Sequence, residues 1–372
     1  MIVTPTGRVV VFGATGFTGE LLVRSLLNRD IEPIVAGRRP AALERLVEKV
    51  GRLEMRVADA SNPRSVRALV DRGDVLISAV GPFSQYGRVA VEAALEAGAH
   101  YLDPAGEGRF VRSVLYEYGP RAEQNGVALL PAFGFESVPG NLAATVALRS
   151  ATEKATSLEV LYVCDPRVSS GGTRASAADV MIERGFAWQN GRLVDRRVGA
   201  KSRKFEIGKR RVLGLSIPSS EHLVLPSGHP DLRDIEVYLG GFGPLARPLQ
   251  LSAAVGTACG RVPALRRMIG AINGLAFRPS TGGPSERVRA KTTTYAHASV
   301  SRHGRELSQA TFAGPDPYAY TADVLAWAAD NILAGRLRRA GGLGPSAAFG
   351  DLTLIDSAED MGFRDITRRQ PA

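Results

Sequence analysis

The sequence predicts an α/β protein, a doubly wound parallel sheet joined to a second, α+β lobe with a mainly antiparallel sheet. Three observations predict it. Short apolar, β-branched runs alternate with helical segments as far as residue 131. A glycine-rich turn separates the first strand from the first helix. Beyond residue 131 the alternation stops, and extended segments follow one another with longer loops.

The elements follow in order. Residues 8–12 (RVVVF) form a strand that ends at a glycine. Residues 17–27 place Leu21, Leu22 and Leu26 at helical spacing. Strands follow at 33–36 and 53–58. Asn62-Pro63 pairs an N-cap residue with a first-turn proline and opens a helix to about residue 72. Residues 75–80 are a fourth strand, 89–97 a helix stopped by Gly98, 100–103 a fifth strand, 110–124 a helix and 127–132 a sixth strand. In the second lobe, 158–164, 204–217, 236–239 and 291–301 read as extended. Residues 278–284 (RPSTGGP) form a loop, and 320–333 form a helix carrying Leu325, Trp327, Ala328 and Ile332.

Bulk composition narrows the class. A chain of 372 residues with 44% hydrophobic residues has room for two globular cores. Two cysteines, Cys164 and Cys259, cannot build a disulfide framework, so a reducing cytoplasm is the expected location. Residues 1–12 are broken by Pro5 and Arg8 and make a poor signal peptide. No uncharged apolar run is long enough to span a bilayer. The five histidines lack metal-site spacing, so no metal is expected. The net charge of +10 suits an anionic ligand or partner.

The turn Gly13-Ala14-Thr15-Gly16-Phe17-Thr18-Gly19 lies between a strand and a helix, the context that gives a glycine triplet meaning. Gly13 permits the tight turn, Gly16 lets backbone approach a pyrophosphate, and Gly19 lets the helix pack on the strand. The pyrophosphate then meets N–H groups at a helix N-terminus. This is the fingerprint of a Rossmann dinucleotide-binding domain. The second strand ends in Gly37-Arg38-Arg39, where an NAD-binding domain usually carries a carboxylate for the ribose hydroxyls. Two guanidinium groups suit the 2′-phosphate of NADP(H) instead. Asp59, after the third strand, is assigned to the adenine, with a turn cap as the alternative.

Ligands of doubly wound sheets bind outside the carboxyl ends of the strands. Ala79 and Val80, with the loop from Gly81 and Pro82 through Tyr86 to Gly87, therefore join the cofactor set. So do the loops 103–107 and 133–137, including Gly134. Tyr86 is the first candidate for proton delivery, with a packed loop aromatic as its structural alternative. Glu107 is the second, with capping of the following helix as its alternative. No Tyr-x-x-x-Lys pair follows the fourth strand.

Four segments, GATGFTGELLVRSLL, VAGRRPAALERL, DVLISAVGPFSQYGRVAVEAALEAGAHYLDPAGE and ALLPAFGFESVPGNLAA, resemble the saccharopine dehydrogenase-like family. The resemblance includes its bacterial branch, which holds trans-acting enoyl reductases. A fainter echo is Ser169-Ser170-Gly171-Gly172-Thr173, followed by Ser176. One departure is Glu136, where many relatives carry Asp. The resemblance implies that the helix at 320–333 returns to the first domain. The expected division is thus a dinucleotide-binding domain of residues 1–131 completed by 319–372, and a substrate or partner domain of residues 132–318.

The function expected on these grounds is NADPH-dependent hydride transfer to a C=C bond of an enoyl thioester or to a C=N bond of an imine. The alternative is a non-catalytic NADP-binding sensor or scaffold. Arg109 and Arg174 are too few to hold two amino-acid carboxylates near the nicotinamide, which argues against saccharopine as substrate. Between residues 192 and 211 lie Arg192, Arg196, Arg197, Lys201, Arg203, Lys204, Lys209 and Arg210, against Asp195 and Glu206. Residues 249–272 add Arg261, Arg266 and Arg267 on an apolar background. These runs suit an acidic acyl-carrier domain bearing the substrate, a CoA phosphate or peripheral contact with an anionic membrane, with two solvated basic faces as the alternative. A homodimer is compatible with the sequence, and no nucleic-acid partner is expected.

Overall fold

The computed structural model describes residues 7–165, 170, 184–208, 210–248, 250–251 and 282–367. The chain forms two compact units. The first comprises Met1–Phe135 and Pro317–Thr353; the second comprises Glu136–Asp316 and Leu354–Ala372.

In the first unit the elements run β1 (Val9–Phe12), α1 (Phe17–Leu27), β2 (Ile34–Gly37), α2 (Pro40–Val50), β3 (Met55–Val57) and α3 (Pro63–Arg67). They continue with β4 (Val75–Ser78), α4 (Phe83–Ala97), β5 (His100–Leu102), α5 (Gly108–Ser113), α6 (Gly119–Gln124) and β6 (Ala128–Leu130). A two-residue strand, Gly341–Gly342, pairs with β6 at the edge. From that strand the order is β6-β5-β4-β1-β2-β3, with every pairing parallel. Residues of β1 and β4 are buried throughout, as strands covered on both faces must be, so they read as unbroken apolar runs. The returning helix, Pro317–Leu333, packs on α1. Phe17 meets Tyr318 edge to face at 5.1 Å, and Ser25 Oγ donates to Asp323 Oδ1 at 2.6 Å.

Three helices depart from the sequence expectation, the first being α3, which stops at Arg67 and not near residue 72. The segment 110–124 is not one helix: a π turn at Val114–Tyr118 divides α5 from α6, whose second residue, Pro120, has no N–H to continue the ladder. Helix α4 begins at Phe83, not near residue 89, so Tyr86 and Gly87 are helical and not in a loop. Gly87 looked like a loop residue, yet it serves packing: a Cβ there would lie 2.5 Å from the Phe110 ring.

In the second unit, α7 (Val138–Ser150) is followed by β7 (Ser157–Val163), β8 (Arg184–Gln189), β9 (Arg192–Arg197), β10 (Ser202–Ile207), β11 (Arg210–Ser216), α8 (Glu221–Gly228), β12 (Asp234–Gly240), β13 (Thr294–Arg302) and β14 (Arg305–Gly314). The sheet order is β10-β11-β12-β7-β13-β14, and a terminal strand, Arg364–Asp365, pairs with β14. Among the described strands of this second sheet, only β12 and β7 pair in parallel. The extended run expected at 204–217 is a hairpin, β10 and β11, with Gly208 at φ +60°. Helix α7 covers one face of β7, β13 and β14.

The chain crosses between units once more than expected. Residues 354–372 belong to the second unit because the terminal strand extends its sheet and Phe363, fully buried, fills the space that a Cβ on Gly314 would occupy. Most of the expected loop at 278–284, nearly all of the basic segment 249–272 and all of the echo at 169–176 except Ser170 lie outside the described residues. Among the described residues, no helix is long and apolar enough to cross a membrane, and no cluster of ligating side chains could hold a metal.

Candidate cofactor site

The glycine turn is built by the end of β1 pressing against β2 and β4. The N–H groups of Gly13 and Ala14 both donate to the Ala36 carbonyl, at 2.9 and 3.1 Å, which fastens the turn beside the end of β2. The Gly16 N–H donates to the Gly13 carbonyl at 2.9 Å and closes it. Gly13 has φ +90°, and a Cβ there would meet Val80 Cγ2 at 2.9 Å and the Ala79 carbonyl carbon at 3.0 Å. The assigned residues Gly13, Ala79 and Val80 are therefore in contact. A Cβ on Gly19 would overlap the Gly13 carbonyl oxygen, so the helix reaches the turn only because that position is glycine. Helix α1 starts at Phe17 with no side chain capping it. Its first-turn N–H groups, with Thr15, Gly16, Phe17 and Thr18 around them, have no acceptor inside the helix, and a pyrophosphate supplies one.

Arg38 and Arg39 follow the last residue of β2, both exposed, and Arg39 is the N-cap of α2. Thr15 lies close to the same strand end: a Cβ on Gly37 would be 3.6 Å from its Oγ1. The turn, the open helix N-terminus and the two guanidinium groups thus gather at the carboxyl ends of β1 and β2. Asp59 closes a local turn, its Oδ1 accepting from Ser61 N at 2.9 Å and Ser61 Oγ at 2.8 Å. Those bonds, followed by the charge of Arg38, hold its carboxyl below the usual range.

The loops after β4, β5 and β6 are tied together by two buried carboxylates. Glu107, 2% exposed, occupies the N-cap position of α5 without capping it. Its Oε1 accepts the Phe83 N–H at 2.9 Å, at the first turn of α4, so it caps the preceding helix in space and not the following one in sequence. Tyr86 stands one turn further along α4, half-buried. Its own N–H donates to the Pro82 carbonyl at 3.0 Å, the peptide before Pro82 being cis. Gly81 is exposed and Gly134 buried. A Cβ on Gly134 would lie 3.1 Å from Thr321 Cγ2 and 3.2 Å from Pro104 Cβ, so packing already demands glycine there.

The sequence places Asp103 in a loop expected beside the nicotinamide, without a role of its own, and the structure makes it the tie between two loops. Its Oδ1 accepts from Ala105 N at 2.8 Å and Ala132 N at 3.0 Å, and its carbonyl accepts from Phe133 N at 2.6 Å. One residue therefore fastens the loop after β5 to the loop after β6, where Ala132 has φ +56°. Complete burial pushes the Asp103 carboxyl up to about 7 against the pull of those two N–H donors. The Ser78 and Tyr101 hydroxyls lie beside it, because register pairs Ile77 with Leu102 and side chains alternate along each strand. The available signal was an aspartate ending an apolar strand, next to a proline.

The basic run of the second unit is paired in part within its own sheet. Arg196 and Lys201 both bind Glu236, Arg203 binds Glu159, and Arg211 binds Glu206. Arg192, Lys204 and Arg210 are exposed, with Arg210 over the Tyr295 ring. Arg109 is exposed on α5; Lys209 and Arg174 lie outside the described residues.

Residues 9–130 match the family model described as saccharopine dehydrogenase NADP binding domain. A trans-acting enoyl reductase of Mycobacterium ulcerans is 34% identical over 185 residues, 47% of this chain and 44% of that protein. A saccharopine dehydrogenase-like oxidoreductase of Homo sapiens is 31% identical over 153 residues, 36% of each chain. The matched stretches thus span less than half the length of these curated relatives. In fold, saccharopine dehydrogenase (L-Glu forming) of Saccharomyces cerevisiae superposes with a TM-score of 0.60 over 97% of this chain and 100% of its own, at 12% identity. The glycine cradle and the matched model agree: residues 9–130 carry an NADP(H)-binding domain of the saccharopine dehydrogenase type.

Proposed function

We propose that the protein is an NADPH-dependent reductase of a polarised double bond, with the C=C bond of an enoyl thioester as the favoured acceptor. The observation that carries this reading is the site itself: a glycine turn against an uncapped helix N-terminus, two arginines at the end of β2, and an ionisable side chain, Tyr86, on the first turns of α4. Trans-acting enoyl reductases among the relatives support the C=C acceptor. An imine is the second acceptor class, supported by the saccharopine dehydrogenase-like relatives.

When bound, NADPH supplies the hydride. The chain's residues bind and orient. The turn and α1 hold the pyrophosphate, Arg38 and Arg39 the 2′-phosphate, Ala79 to Pro82 the nicotinamide ribose, and Asp59 the adenine edge. Glu107 fixes the start of α4 and with it the backbone of Tyr86. Tyr86 holds a proton at its hydroxyl for the carbon or nitrogen that does not receive the hydride. We assign Glu107 to positioning, because its carboxylate is committed to the Phe83 N–H.

NADPH oxidation against a panel of enoyl thioesters, cyclic imines and ketones tests the reading. Turnover with enoyl thioesters above the ketone background supports it; tight NADPH binding without turnover on any acceptor favours a sensor or scaffold. Tyr86→Phe should lower kcat by about 10²-fold with NADPH affinity unchanged, and a change of a few-fold would hand the proton to solvent.

A further inference from the structure

The second unit buries a polar network that the proposed reduction does not use. Glu221, the first residue of α8, is 0% exposed. Its Oε1 meets the Tyr162 hydroxyl and its Oε2 meets the Ser219 hydroxyl. Each hydroxyl also faces a backbone carbonyl: Tyr162 lies 2.9 Å from that of Ser137, and Ser219 3.2 Å from that of Glu136. The Ser137 and Ser220 hydroxyls are 2.6 Å apart, and Asn141 Nδ2 donates to the Ser137 carbonyl at 2.9 Å. A Cβ on Gly140 would overlap both the Tyr162 hydroxyl and Glu221 Oε1, so α7 admits the pair only because residue 140 has no side chain.

The protons can be counted. Tyr162 and Ser219 bring one hydroxyl proton each. They face four acceptor positions: two carbonyls, which can only accept, and two carboxyl oxygens. If Glu221 is ionised, two of the four contacts bring lone pairs together in a fully buried place. If it carries a proton, Glu221 donates to Tyr162, Tyr162 donates to the Ser137 carbonyl, and Ser219 donates to the other carboxyl oxygen. Three contacts are then hydrogen bonds, and only the longest, Ser219 to Glu136, is left over.

We propose that Glu221 is held as a neutral carboxylic acid, whose proton completes a clamp on the start of α7. Its surroundings agree. Burial pushes the carboxyl up to about 7. The hydrogen bonds of Ser219, Tyr162, its own backbone and Ser220 pull the other way without overcoming burial, and no cation stands among those groups. The neighbouring His222 is neutral: burial pushes it down to about 4, and its Nδ1 lies 3.2 Å from the Ser219 N–H. Of the elements packed on α8, β12 brings Asp234 and Glu236, and α7 brings Arg149. Glu236 is paired with Arg196 and Lys201.

Glu221 is therefore a positioning residue for Glu136 and Ser137, which continue the chain from Gly134 and Phe135. Its value to turnover rests on the reductase reading; its protonation does not. The test uses the full chain and Glu221→Gln, which keeps a neutral donor and acceptor. The wild-type minus Glu221→Gln infrared difference at pH about 6 should show the C=O stretch of a buried carboxylic acid, fading as pH rises past about 8. Glu221→Gln should melt close to wild type at pH about 6. Its advantage should grow with pH, because a raised carboxyl pKa costs the folded state stability as pH climbs from the unfolded value to the folded one. Glu221→Ala should melt well below both; should it fail to fold, the spectrum still decides. An absent acid band, or Glu221→Gln as unstable as Glu221→Ala at pH about 6, overturns the proposal. With an active acceptor, Glu221→Gln should keep kcat within about threefold of wild type and lose part of the alkaline fall. With no active acceptor, the reductase reading fails while the spectrum still decides the protonation.

Discussion

The two units hold their buried carboxyl groups by different means. In the first, Asp103 and Glu107 accept from main-chain N–H groups, those of Ala105, Ala132 and Phe83. In the second, Glu221 is met by the side-chain hydroxyls of Tyr162 and Ser219. Main-chain N–H groups can only donate, so they tie loops to an acceptor oxygen, although burial still pushes Asp103 up to about 7. Hydroxyls can reverse direction, so they accommodate a neutral acid. The first arrangement fixes the loops after β4, β5 and β6; the second fixes the start of α7. A glycine admits a close approach in each unit, at Gly19 against the turn and at Gly140 against Tyr162 and Glu221.

The largest effects should come from those two glycines, and they should separate. Gly19→Ala places a Cβ on the Gly13 carbonyl oxygen, a backbone atom that cannot move without distorting the turn. NADPH affinity should fall by about 100-fold or more. Gly140→Ala should instead lower folding stability, by about 1–3 kcal/mol of overpacking, while the surviving folded protein keeps NADPH affinity within a few-fold. Equal losses of affinity in both variants, measured by fluorescence titration, would erase the distinction between the units.

Asp103 comes next. Asp103→Ala leaves the Ala105 and Ala132 N–H groups without their acceptor, at roughly 1–3 kcal/mol each. Asp103→Asn keeps one acceptor oxygen and should lose much less. The pH dependence has a definite sign. Asp103 is raised to about 7, so the folded state binds more protons than the unfolded one, and its contribution falls as pH climbs from the usual carboxylate range to about 7. His222 and His297, pushed down to about 4 by burial, act oppositely over the same window, costing stability as pH falls. The melting temperature of Asp103→Asn relative to wild type should therefore rise with pH between about 4 and about 7. A difference that stays flat would mean that Asp103 is ionised throughout.

How far these arrangements were legible in the sequence follows from who makes the contacts. The glycine turn was legible because backbone geometry restricts its residues, and Gly13, Gly16 and Gly19 stand within seven consecutive positions. The parallel sheet was legible because strands buried on both faces are written as apolar runs. The start of α4 was not, because Gly81, Pro82 and Gly87 suggest a loop, and the capping carboxylate, Glu107, lies 24 residues away. The clamp in the second unit was hidden for the same reason: Ser137 and Ser220 are 83 residues apart, and nothing local to either announces the other. The basic run at 192–211 looked like a free positive face because its partners, Glu159 and Glu236, sit on other strands.

That pairing shrinks the smallest expected effect. If an acidic acyl-carrier domain docks on this sheet, the exposed Lys204 and Arg210 carry the attraction. Reversing both charges should raise the Michaelis constant of a carrier-bound enoyl substrate by about three- to tenfold at low salt. It should leave a short neutral thioester unchanged, and salt should remove the difference, since exposed charges are screened within about 8 Å at physiological ionic strength. Parallel salt profiles for the two substrates would assign the basic strands to sheet stability alone.

The central claim is that the first unit presents an NADP(H) site whose phosphate selectivity resides at the end of β2. Titration of the full chain with NADPH and NADH, repeated on Arg38→Ala, tests it most directly. Loss of a charge-assisted phosphate contact costs about 1.5–3 kcal/mol. Wild type should therefore bind NADPH more tightly than NADH by about tenfold to a hundredfold, and Arg38→Ala should erase most of that gap by weakening NADPH while NADH binding stays constant. Equal affinity of the wild type for both dinucleotides, or a substitution that weakens both alike, would contradict the account.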